Sequence, residues 1–262
     1  MSYTINIHGH LLDLGKPQVM GILNVTPDSF FAASRQQTAA DVAAQANRIV
    51  AEGAAIIDVG ACSTRPGSEP VSEAEEMERL SMALDVVCRE QPGSVVSVDT
   101  FRPAVARMAV EKFGAAIIND VQPSDDMFRM VARLGVPYIL TSHAATMEDM
   151  LMGFATQVQQ LRNLGQKDII LDPGFGFGKT MEDNYRILNQ LERLRVMELP
   201  ILAGLSRKSM MTRLLGITAD EALNATTALN TIALMKGAAI LRVHDVAQAV
   251  QCVSLLNALQ SH

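Results

Sequence analysis

Short apolar segments and longer amphipathic segments alternate along this 262-residue chain, and this alternation limits the possible folds more than any other feature. The short segments are rich in Ile, Val and Leu on both faces, which is typical of parallel strands covered by helices. The pattern contains eight such units. Eight βα units need about 250 residues when they close into a barrel. We therefore predict an α/β fold, a single (β/α)8 TIM barrel that forms one domain over residues 1–262.

The predicted elements follow from where the apolar segments begin and end. Strands are expected at 19–24, 55–59, 95–99, 116–120, 138–143, 169–172, 201–204 and 239–243. Helices are expected at 39–52, 73–90, 103–112, 125–134, 147–164, 181–194, 207–214 with 219–236, and 245–259. A doubly wound open sheet is the alternative fold, but eight regular units with no remainder favour a closed barrel.

Capping residues and a short hairpin complete the predicted fold. Thr38, Ser72 and Ser124 are expected to cap helix N-termini, because their side chains can accept a hydrogen bond from a backbone N–H. Ahead of the first unit, residues 4–14 predict a short N-terminal β-hairpin that turns at Gly9. We expect this hairpin to cover the bottom of the barrel.

Composition argues against several classes of protein. Hydrophobic residues make up 48% of the chain and charged residues 19%, which permits a large core and argues against disorder. The net charge is −6 with dispersed Lys and Arg, so nucleic acid is not an expected partner. There is no apolar run of about 18 residues and no signal-peptide pattern, so no membrane association is expected. The unevenly spaced Cys62, Cys88 and Cys252 argue against a disulfide framework or zinc cluster and suit a reducing cytoplasm.

Nearly every apolar segment ends at a polar or charged residue. These residues are Asn24, Asp58, Asp99, Asn119, His143, Asp172, Gly204 followed by Ser206, Arg207, Lys208 and Ser209, and Arg242 with His244. Any one of them could simply solvate the end of a strand. The whole set, however, would converge on the C-terminal mouth of the barrel, where the active sites of this fold lie.

One group of these residues is rich in hydrogen-bond acceptors. Asp99, Asn119 and Asp172 follow three different strands and offer carboxylate and amide oxygens. This set suits a flat heterocycle that presents several N–H donors. Lys208 beside it could bind a carbonyl oxygen of the same ring.

A second group is cationic. Lys208, Arg242 and His244 come from the loops after strands seven and eight, which is the usual phosphate position in this fold. Asn24 lies across the ring and could hold a metal ion through its carbonyl oxygen. Magnesium suits this arrangement, because it is typically bound by few protein ligands together with substrate phosphates.

Other features have mainly structural interpretations. Residues 172–179 contain GxGxG after a strand, but the spacing of a dinucleotide fingerprint is absent, so a tight turn is expected. Cys62 has no neighbouring base in the sequence, which disfavours a nucleophilic role. A solvated helix face is expected for Glu73, Glu75, Glu76 and Glu78.

Seven segments together resemble one known family. They are MGILNVTPDSF (20–30), IIDVGACSTRPG (56–67), SVDT (97–100), IINDV (117–121), ILDPGFGFGKT (170–180), GLSRKSM (204–210) and ILRVHDV (240–246). The chain resembles the dihydropteroate synthase family of pterin-binding enzymes over about residues 19–256. The resemblance implies a cytoplasmic, homodimeric transferase of tetrahydrofolate biosynthesis that requires Mg²⁺ and is a sulfonamide target.

The resemblance also implies a reaction. Enzymes of this family condense p-aminobenzoate with 6-hydroxymethyl-7,8-dihydropterin diphosphate and release 7,8-dihydropteroate and diphosphate. The substitution is of the ionisation-first type, in which the diphosphate departs before the aromatic amine attacks. The protein then contributes electrostatic stabilisation and positioning, which fits a site with no evident nucleophile.

Residue by residue, the resemblance assigns the following functions. The pterin-binding residues match Asp99, Asn119, Asp172, Lys208 and Arg242. The diphosphate-binding residues match Asn24, Thr64, Arg242 and His244, and the magnesium ligand matches Asn24. The p-aminobenzoate-binding residues match Thr64, Arg65, Pro66, Phe177 and Ser209. The residues expected to act in catalysis are Lys208, Arg242, His244 and Arg65.

Two other functions stay open. A corrinoid-type pterin-dependent methyltransferase shares the barrel and the Asp–Asn–Asp slot but has no diphosphate to bind. A catalytically weak pterin-binding paralogue is the second, because residues 31–34 lack the Ser-Asp-Gly-Gly usual in the first loop of the family. The sequence also departs from the family pattern at Cys62 and at residues 141–143.

Overall fold

The computed structural model describes residues 3–25, 35–62 and 71–260. Over these ranges the strands are β1 Thr4–Ile7, β2 His10–Asp13, β3 Gln18–Asn24, β4 Ile56–Gly60, β5 Val95–Asp99, β6 Ile117–Asp120, β7 Tyr138–Thr141, β8 Ile169–Asp172, β9 Leu202–Ala203 and β10 Ile240–Val243. The α-helices are α1 Arg35–Ala51, α2 Glu73–Glu90, α3 Pro103–Phe113, α4 Asp125–Leu134, α5 Met147–Asn163, α6 Met181–Asn189, α7 Ser209–Leu215, α8 Leu223–Met235 and α9 Val246–Gln260. A 3-10 helix, Leu191–Met197, follows α6.

The strands β3 to β10 form one parallel sheet in the order β8-β7-β6-β5-β4-β3-β10-β9. A parallel bridge between Leu171 of β8 and Ile201 before β9 joins the two ends, and Leu171 N donates to Pro200 O at 2.9 Å. The sheet is therefore a closed barrel, which confirms the predicted (β/α)8 TIM barrel and excludes the open doubly wound sheet. In the described ranges, no helix combines the length and apolar character that a membrane span requires.

The inner face of the barrel consists of an apolar layer below a polar one. One buried cluster contains the lower layer, Met20, Ile56, Ile117, Ile139, Ile170, Leu202 and Ile240. Side chains two residues apart on a strand point to the same face, so the next inward positions lie one layer higher. Those positions carry Ile22, Asp58, Asn119, Thr141, Asp172, Gly204 and Arg242. The alternation of the strands thus places the polar side chains at the C-terminal mouth, as predicted.

The N-terminal hairpin covers the opposite end of the barrel. β1 and β2 pair antiparallel, and the two residues between them, His8 and Gly9, have φ angles of 50° and 89°. This backbone suits the tight two-residue turns of hairpins. Ile5, Ile7 and Leu14 belong to the same buried cluster as the lower layer of the barrel. The predicted hairpin and its position are therefore confirmed.

The helix caps follow the prediction at two of three positions. Ser72 Oγ accepts from Glu75 N, and Ser124 Oγ accepts from Met127 N. The prediction for Thr38 was wrong, because α1 already begins at Arg35 and Thr38 lies within its first turns.

Two predicted elements end earlier than expected. The predicted strand 138–143 ends at Thr141. His143 lies beyond the strand, and its Nε2 is 2.6 Å from Val121 O, after β6. The predicted helix 181–194 is interrupted at Gln190, whose φ and ψ are −110° and 11°. The chain continues there as the 3-10 helix.

Truncation of Ile5 tests how much the hairpin contributes to stability. Ile5 is 2% exposed against the lower barrel layer, whereas Leu11 on the same hairpin is 72% exposed. We expect Ile5→Ala to lower the free energy of unfolding by about 2–5 kcal/mol. Leu11→Ala should change it by no more than about 0.5 kcal/mol. Urea denaturation of the two variants measures the difference, and equal effects would contradict this placement of the hairpin.

Candidate active site

The guanidinium group of Arg242 connects three strands at the mouth of the barrel. Arg242 Nε donates to Asp58 Oδ2 at 2.6 Å, and Nη2 donates to Asp99 Oδ2 at 2.7 Å. Asn119 Nδ2 donates to the same Asp58 oxygen at 3.0 Å. Burial lowers the pKa of Arg242, but Asp58 and Asp99 raise it above its usual range, so the guanidinium stays charged. Side chains of β4, β5, β6 and β10 are thus held in one hydrogen-bonded network.

Asp58 was predicted to lie at the mouth, but no specific function was predicted for it. Its side chain is fully buried, and its carboxylate accepts hydrogen bonds from Arg242 and Asn119. A buried carboxylate without such partners would be strongly destabilising. The signal in the sequence was its position two residues after the inward Ile56 of the same strand. Asp58 therefore orients the two neighbours that were predicted to bind a pterin.

The polar layer holds more acceptors than donors. Asp58 and Asp172 bring two carboxylates to it, and Asp99 at the end of β5 adds a third through its bond to Arg242. Asn119 Oδ1 is buried with no hydrogen-bond partner within the described residues. Arg242 supplies the main cation among them. A planar ligand edge with several N–H donors would complement this excess of acceptors.

Burial raises the pKa of both mouth carboxyl groups that were predicted to bind pterin. It raises the pKa of Asp99 to about 7, against the opposing effect of Arg242 and with an added contribution from Asp58. It also raises the pKa of Asp172, opposed by the hydrogen bond that Asp172 Oδ1 accepts from Gly174 N at 2.8 Å and by Lys208.

The predicted cationic residues occupy the rim around this layer. Lys208 is the N-cap residue of α7, and its ammonium lies 4.6 Å from the centroid of the Phe177 ring. His244 is held by Ser206, whose Oγ lies 3.0 Å from His244 Nδ1 and accepts from His244 N at 3.2 Å. Lys208 and Arg242 both oppose the rise in the pKa of Asp172 that burial causes.

Arg207, although adjacent to Lys208, has a structural role. Its guanidinium forms hydrogen bonds of 3.0 and 2.7 Å to the Asp245 carboxylate and one of 3.0 Å to Asp220. These contacts tie the end of β9 to the start of α9. Ser209, a predicted p-aminobenzoate contact, is the exposed first residue of α7.

Asn24 reaches the mouth from the end of β3. Its Oδ1 lies 3.3 Å from where a Cβ atom on Gly60 would stand, and Asp99 Cβ lies 3.4 Å from the same point. A larger residue at position 60 would therefore press on this carboxamide and on Asp99. Within the described residues no group of three His, Cys, Asp or Glu side chains could hold a metal. An oxygen from Asn24 still suits Mg²⁺ that takes its other ligands from substrate phosphates and water.

Three predicted site residues fall outside the described ranges. Thr64, Arg65 and Pro66 lie in segment 63–70, and the altered residues 31–34 lie in segment 26–34. Their predicted functions remain predictions.

The expectation of a solvated face on α2 was wrong for Glu76. This side chain is fully buried, accepts from Thr100 Oγ1 at 2.6 Å and forms an ion pair with Arg102. Arg102 also lies 3.5 Å from Cys62 Sγ and donates to Val71 O at 2.5 Å. Burial raises the pKa of Cys62 to about 12, and the neighbouring Glu76 carboxylate adds to this rise. The thiol therefore stays protonated and is a poor nucleophile.

Comparisons with known proteins identify relatives of this chain. The model of the family described as "Pterin binding enzyme" matches residues 20–244. Dihydropteroate synthase of Escherichia coli (strain K12) is 38% identical over 270 residues, covering 97% of this chain and 95% of that protein. A Xanthomonas albilineans dihydropteroate synthase structure with 4-aminobenzoic acid superposes with a TM-score of 0.91 at 35% identity, covering 100% of both chains. The same enzyme in complex with 7,8-dihydropteroate gives a TM-score of 0.88 at 34% identity, covering 99% of this chain and 100% of that one.

Stability should depend on pH through Asp99. Its pKa is higher in the folded protein, about 7, than the usual 3.8, so the folded state binds the proton more tightly. The resulting stabilisation is complete below about pH 4 and is lost as the pH rises through about 7. Compared with Asp99→Asn, the wild type should therefore lose free energy of unfolding between pH 5 and pH 8. Urea denaturation of both proteins across this range provides the measurement. A difference that stays constant with pH would contradict the assignment.

Proposed function

The chain belongs to the dihydropteroate synthase family of pterin-binding enzymes, transferases of folate biosynthesis, and from this we propose the function of its mouth residues. The reaction joins p-aminobenzoate to 6-hydroxymethyl-7,8-dihydropterin diphosphate and yields 7,8-dihydropteroate and diphosphate. The observation that carries the proposal is the Arg242 guanidinium bonded to Asp58 and Asp99 beside an acceptor-rich layer. This arrangement combines a slot for a planar donor-bearing ring with a fixed cation.

The pterin ring is assigned to the polar layer. Asp172 and Asn119 would accept hydrogen bonds from its N–H groups, and Asp99 would do so while it remains bonded to Arg242. Lys208 would bind the ring carbonyl oxygen. Because these groups come from different strands of a closed barrel, their separations are fixed before the ligand arrives.

The diphosphate is assigned to the rim, where Arg242 and His244 would bind it together with Thr64 and Asn24. The bond between the pterin methylene carbon and the diphosphate oxygen breaks, and its electron pair leaves with the oxygen. The amine nitrogen of p-aminobenzoate then bonds to the methylene carbon and loses a proton. Arg242 is positively charged throughout, so it stabilises the negative charge that develops on the leaving group.

The p-aminobenzoate is assigned to Phe177 and Ser209. Thr64, Arg65 and Pro66, which lie outside the described residues, are proposed as further contacts. Phe177 lies against the Lys208 ammonium and stacks with His143, their ring planes 11° apart and their centroids 5.7 Å apart. An aromatic wall beside a cation suits a ligand that is both aromatic and anionic.

Asn24 is the residue proposed to bind Mg²⁺. Its carboxamide oxygen stands at the mouth beside Asp99, where β3 and β4 end. When bound, the ion would add positive charge next to the departing diphosphate. Asn24 would hold it at that side of the rim.

A homodimer built on the late helices is part of the proposal. α8 and α9 pack together and expose Ile232 and Met235 on one helix and Leu255 and Leu259 on the other. Such apolar side chains on adjacent helices suit a protein–protein contact. The free thiols of Cys62, Cys88 and Cys252 are compatible with the proposed cytoplasmic location.

A turnover assay separates this function from the two alternatives. Wild-type protein supplied with the pterin diphosphate, p-aminobenzoate and Mg²⁺ should form 7,8-dihydropteroate. A corrinoid-type methyltransferase would bind pterin without releasing diphosphate, and a weak paralogue would bind pterin diphosphate without turnover. Absence of product with intact pterin binding would therefore overturn the proposed reaction.

Asp172→Asn tests the pterin slot, and Asp168, just before the same strand, offers a matched control. The variant keeps the shape but loses a charged acceptor, so pterin binding should weaken by roughly tenfold or more. Asp168 stands just before β8 at the other end of the barrel, where it accepts from Asn6 N at 3.3 Å. Asp168→Asn should leave pterin affinity unchanged. Calorimetric titration of both variants decides, and an unchanged affinity in Asp172→Asn would remove this residue from the slot.

Asn24→Ala tests the magnesium proposal. Turnover should require Mg²⁺, and this variant should need a higher Mg²⁺ concentration for half-maximal rate because one oxygen ligand is lost. Its affinity for a pterin that lacks diphosphate should not change. Asn163→Ala, at the exposed end of α5, is the control and should show the wild-type requirement. Full turnover of the wild type after removal of divalent ions would show that the metal assignment is wrong.

A further inference from the structure

The glycine-rich segment after β8 is folded tightly against the end of β7. Gly174, Gly176 and Gly178 have φ angles of 66°, 84° and 62°, a region that residues with a Cβ rarely adopt. A Cβ atom on Gly174 would stand 2.2 Å from Ser142 O, closer than atoms can approach. The backbone therefore comes into direct contact with the residue that follows β7.

This folding turns backbone carbonyl groups towards Lys179. Lys179 Nζ donates to Ser142 O at 2.9 Å, to Gly174 O at 2.9 Å and to Phe177 O at 3.1 Å. An ammonium group has three N–H donors, and here each has a backbone acceptor. Two of the acceptors lie in the glycine-rich segment and the third lies after β7. No function was predicted for Lys179 from the sequence.

These three hydrogen bonds exclude Lys179 from the cationic rim and give it a different function. We propose that Lys179 is a positioning residue for p-aminobenzoate, because it fixes Phe177 relative to β7 and Lys208. This inference rests on the proposed function of Phe177. Without the ammonium, three carbonyl oxygens would face one another with no donor between them, and the segment would have to change its conformation.

The segment has a second anchor that Lys179 does not provide. Gly176 N donates to Asn184 Oδ1 at 2.7 Å, and Asn184 is buried on α6. Asp172 is on β8 itself, where the strand ladder holds its backbone. Loss of Lys179 should therefore displace Phe177 more than Asp172, and the effect should fall on p-aminobenzoate more than on pterin.

The surroundings of Lys179 make this contact sensitive to alkaline pH. Burial lowers the pKa of Lys179 to about 8, while Asp172 on β8 and Asp183 on α6 oppose the shift and Lys208 before α7 adds to it. The His143 ring, on the loop after β7, stacks with Phe177 in the same region. Above about pH 8 the amine has only two N–H donors for the three carbonyl groups.

Steady-state kinetics of Lys179→Met provide the first test. We expect its KM for p-aminobenzoate to rise roughly tenfold while the Kd for pterin, from calorimetry, stays within about twofold. Lys236→Met is the matched control, because Lys236 Nζ also donates to a backbone carbonyl, Asn189 O at 2.7 Å, but far from the mouth. The control should keep both wild-type values. An unchanged KM in Lys179→Met, or an equal rise in KM and Kd, would overturn the proposal.

The pH dependence of the wild type is a second test that needs no variant. The KM for p-aminobenzoate should rise as the pH passes about 8, since p-aminobenzoate itself does not titrate there. In Lys179→Met the KM should be high and independent of pH. A wild-type KM that stays constant from pH 7 to pH 9.5 would contradict the proposal, even if the variant did not fold.

Hydrogen exchange distinguishes failure of this inference from failure of the proposed reaction. Amide exchange in peptides covering residues 173–178 should be faster in Lys179→Met than in the wild type, whether or not the protein turns over. Peptides from β5 and β6 should exchange at the wild-type rate. If the wild type shows no turnover but the segment exchanges faster in Lys179→Met, the proposed reaction is wrong and the contact of Lys179 with the segment stands. Unchanged exchange in residues 173–178 would show that Lys179 does not hold the segment.

Discussion

The ion pairs of Arg242 with Asp58 and Asp99 organise the mouth of this barrel. Asp58 and Asp172 stand in a polar layer directly above an apolar one, with Asp99 beside them, so water cannot solvate these carboxylates from below. Charges in such surroundings are tolerated only when they are paired and hydrogen-bonded. A single planar guanidinium bridges two of them at 2.6 and 2.7 Å and leaves acceptors over for a ligand. The same contact therefore holds the folded mouth together and sets which acceptors are left for the ligand that we propose.

The fold and the location of the site could be predicted because both depend on a local pattern. Most barrel strands carry an apolar inward residue and, two positions later, a polar one, as in Ile56 with Asp58 and Ile170 with Asp172. The period of two fixes the direction of each side chain, and the parallel sheet fixes the end at which the polar ones gather. No knowledge of distant contacts is needed for this step, which is why most predicted strand ends lie within two residues of the observed ones.

Partners between distant segments could not be predicted in the same way. Arg242 and Asp58 are 184 residues apart, and nothing near either of them in the sequence identifies the other. Glu76 lies in a run of charged residues typical of an exposed helix face, but Arg102 from the following unit pairs with it in the interior. Lys179 binds backbone carbonyl groups, which leave no signature in residue types. Such contacts follow from the approach of whole elements rather than from any local period.

The barrel wall closes through its shortest strand. β9 has two residues, and one bridge joins it to β8, whereas β3, β4 and β5 are linked by continuous ladders. Fewer backbone contacts therefore join β8 to β9 than join β3, β4 and β5. Asp99 and Asn119 stand on strands that are paired on both sides, whereas the glycine-rich segment and Lys208 follow β8 and β9. The backbone that carries Asp99 and Asn119 is thus held by more strand pairing than the backbone that leads to Lys208.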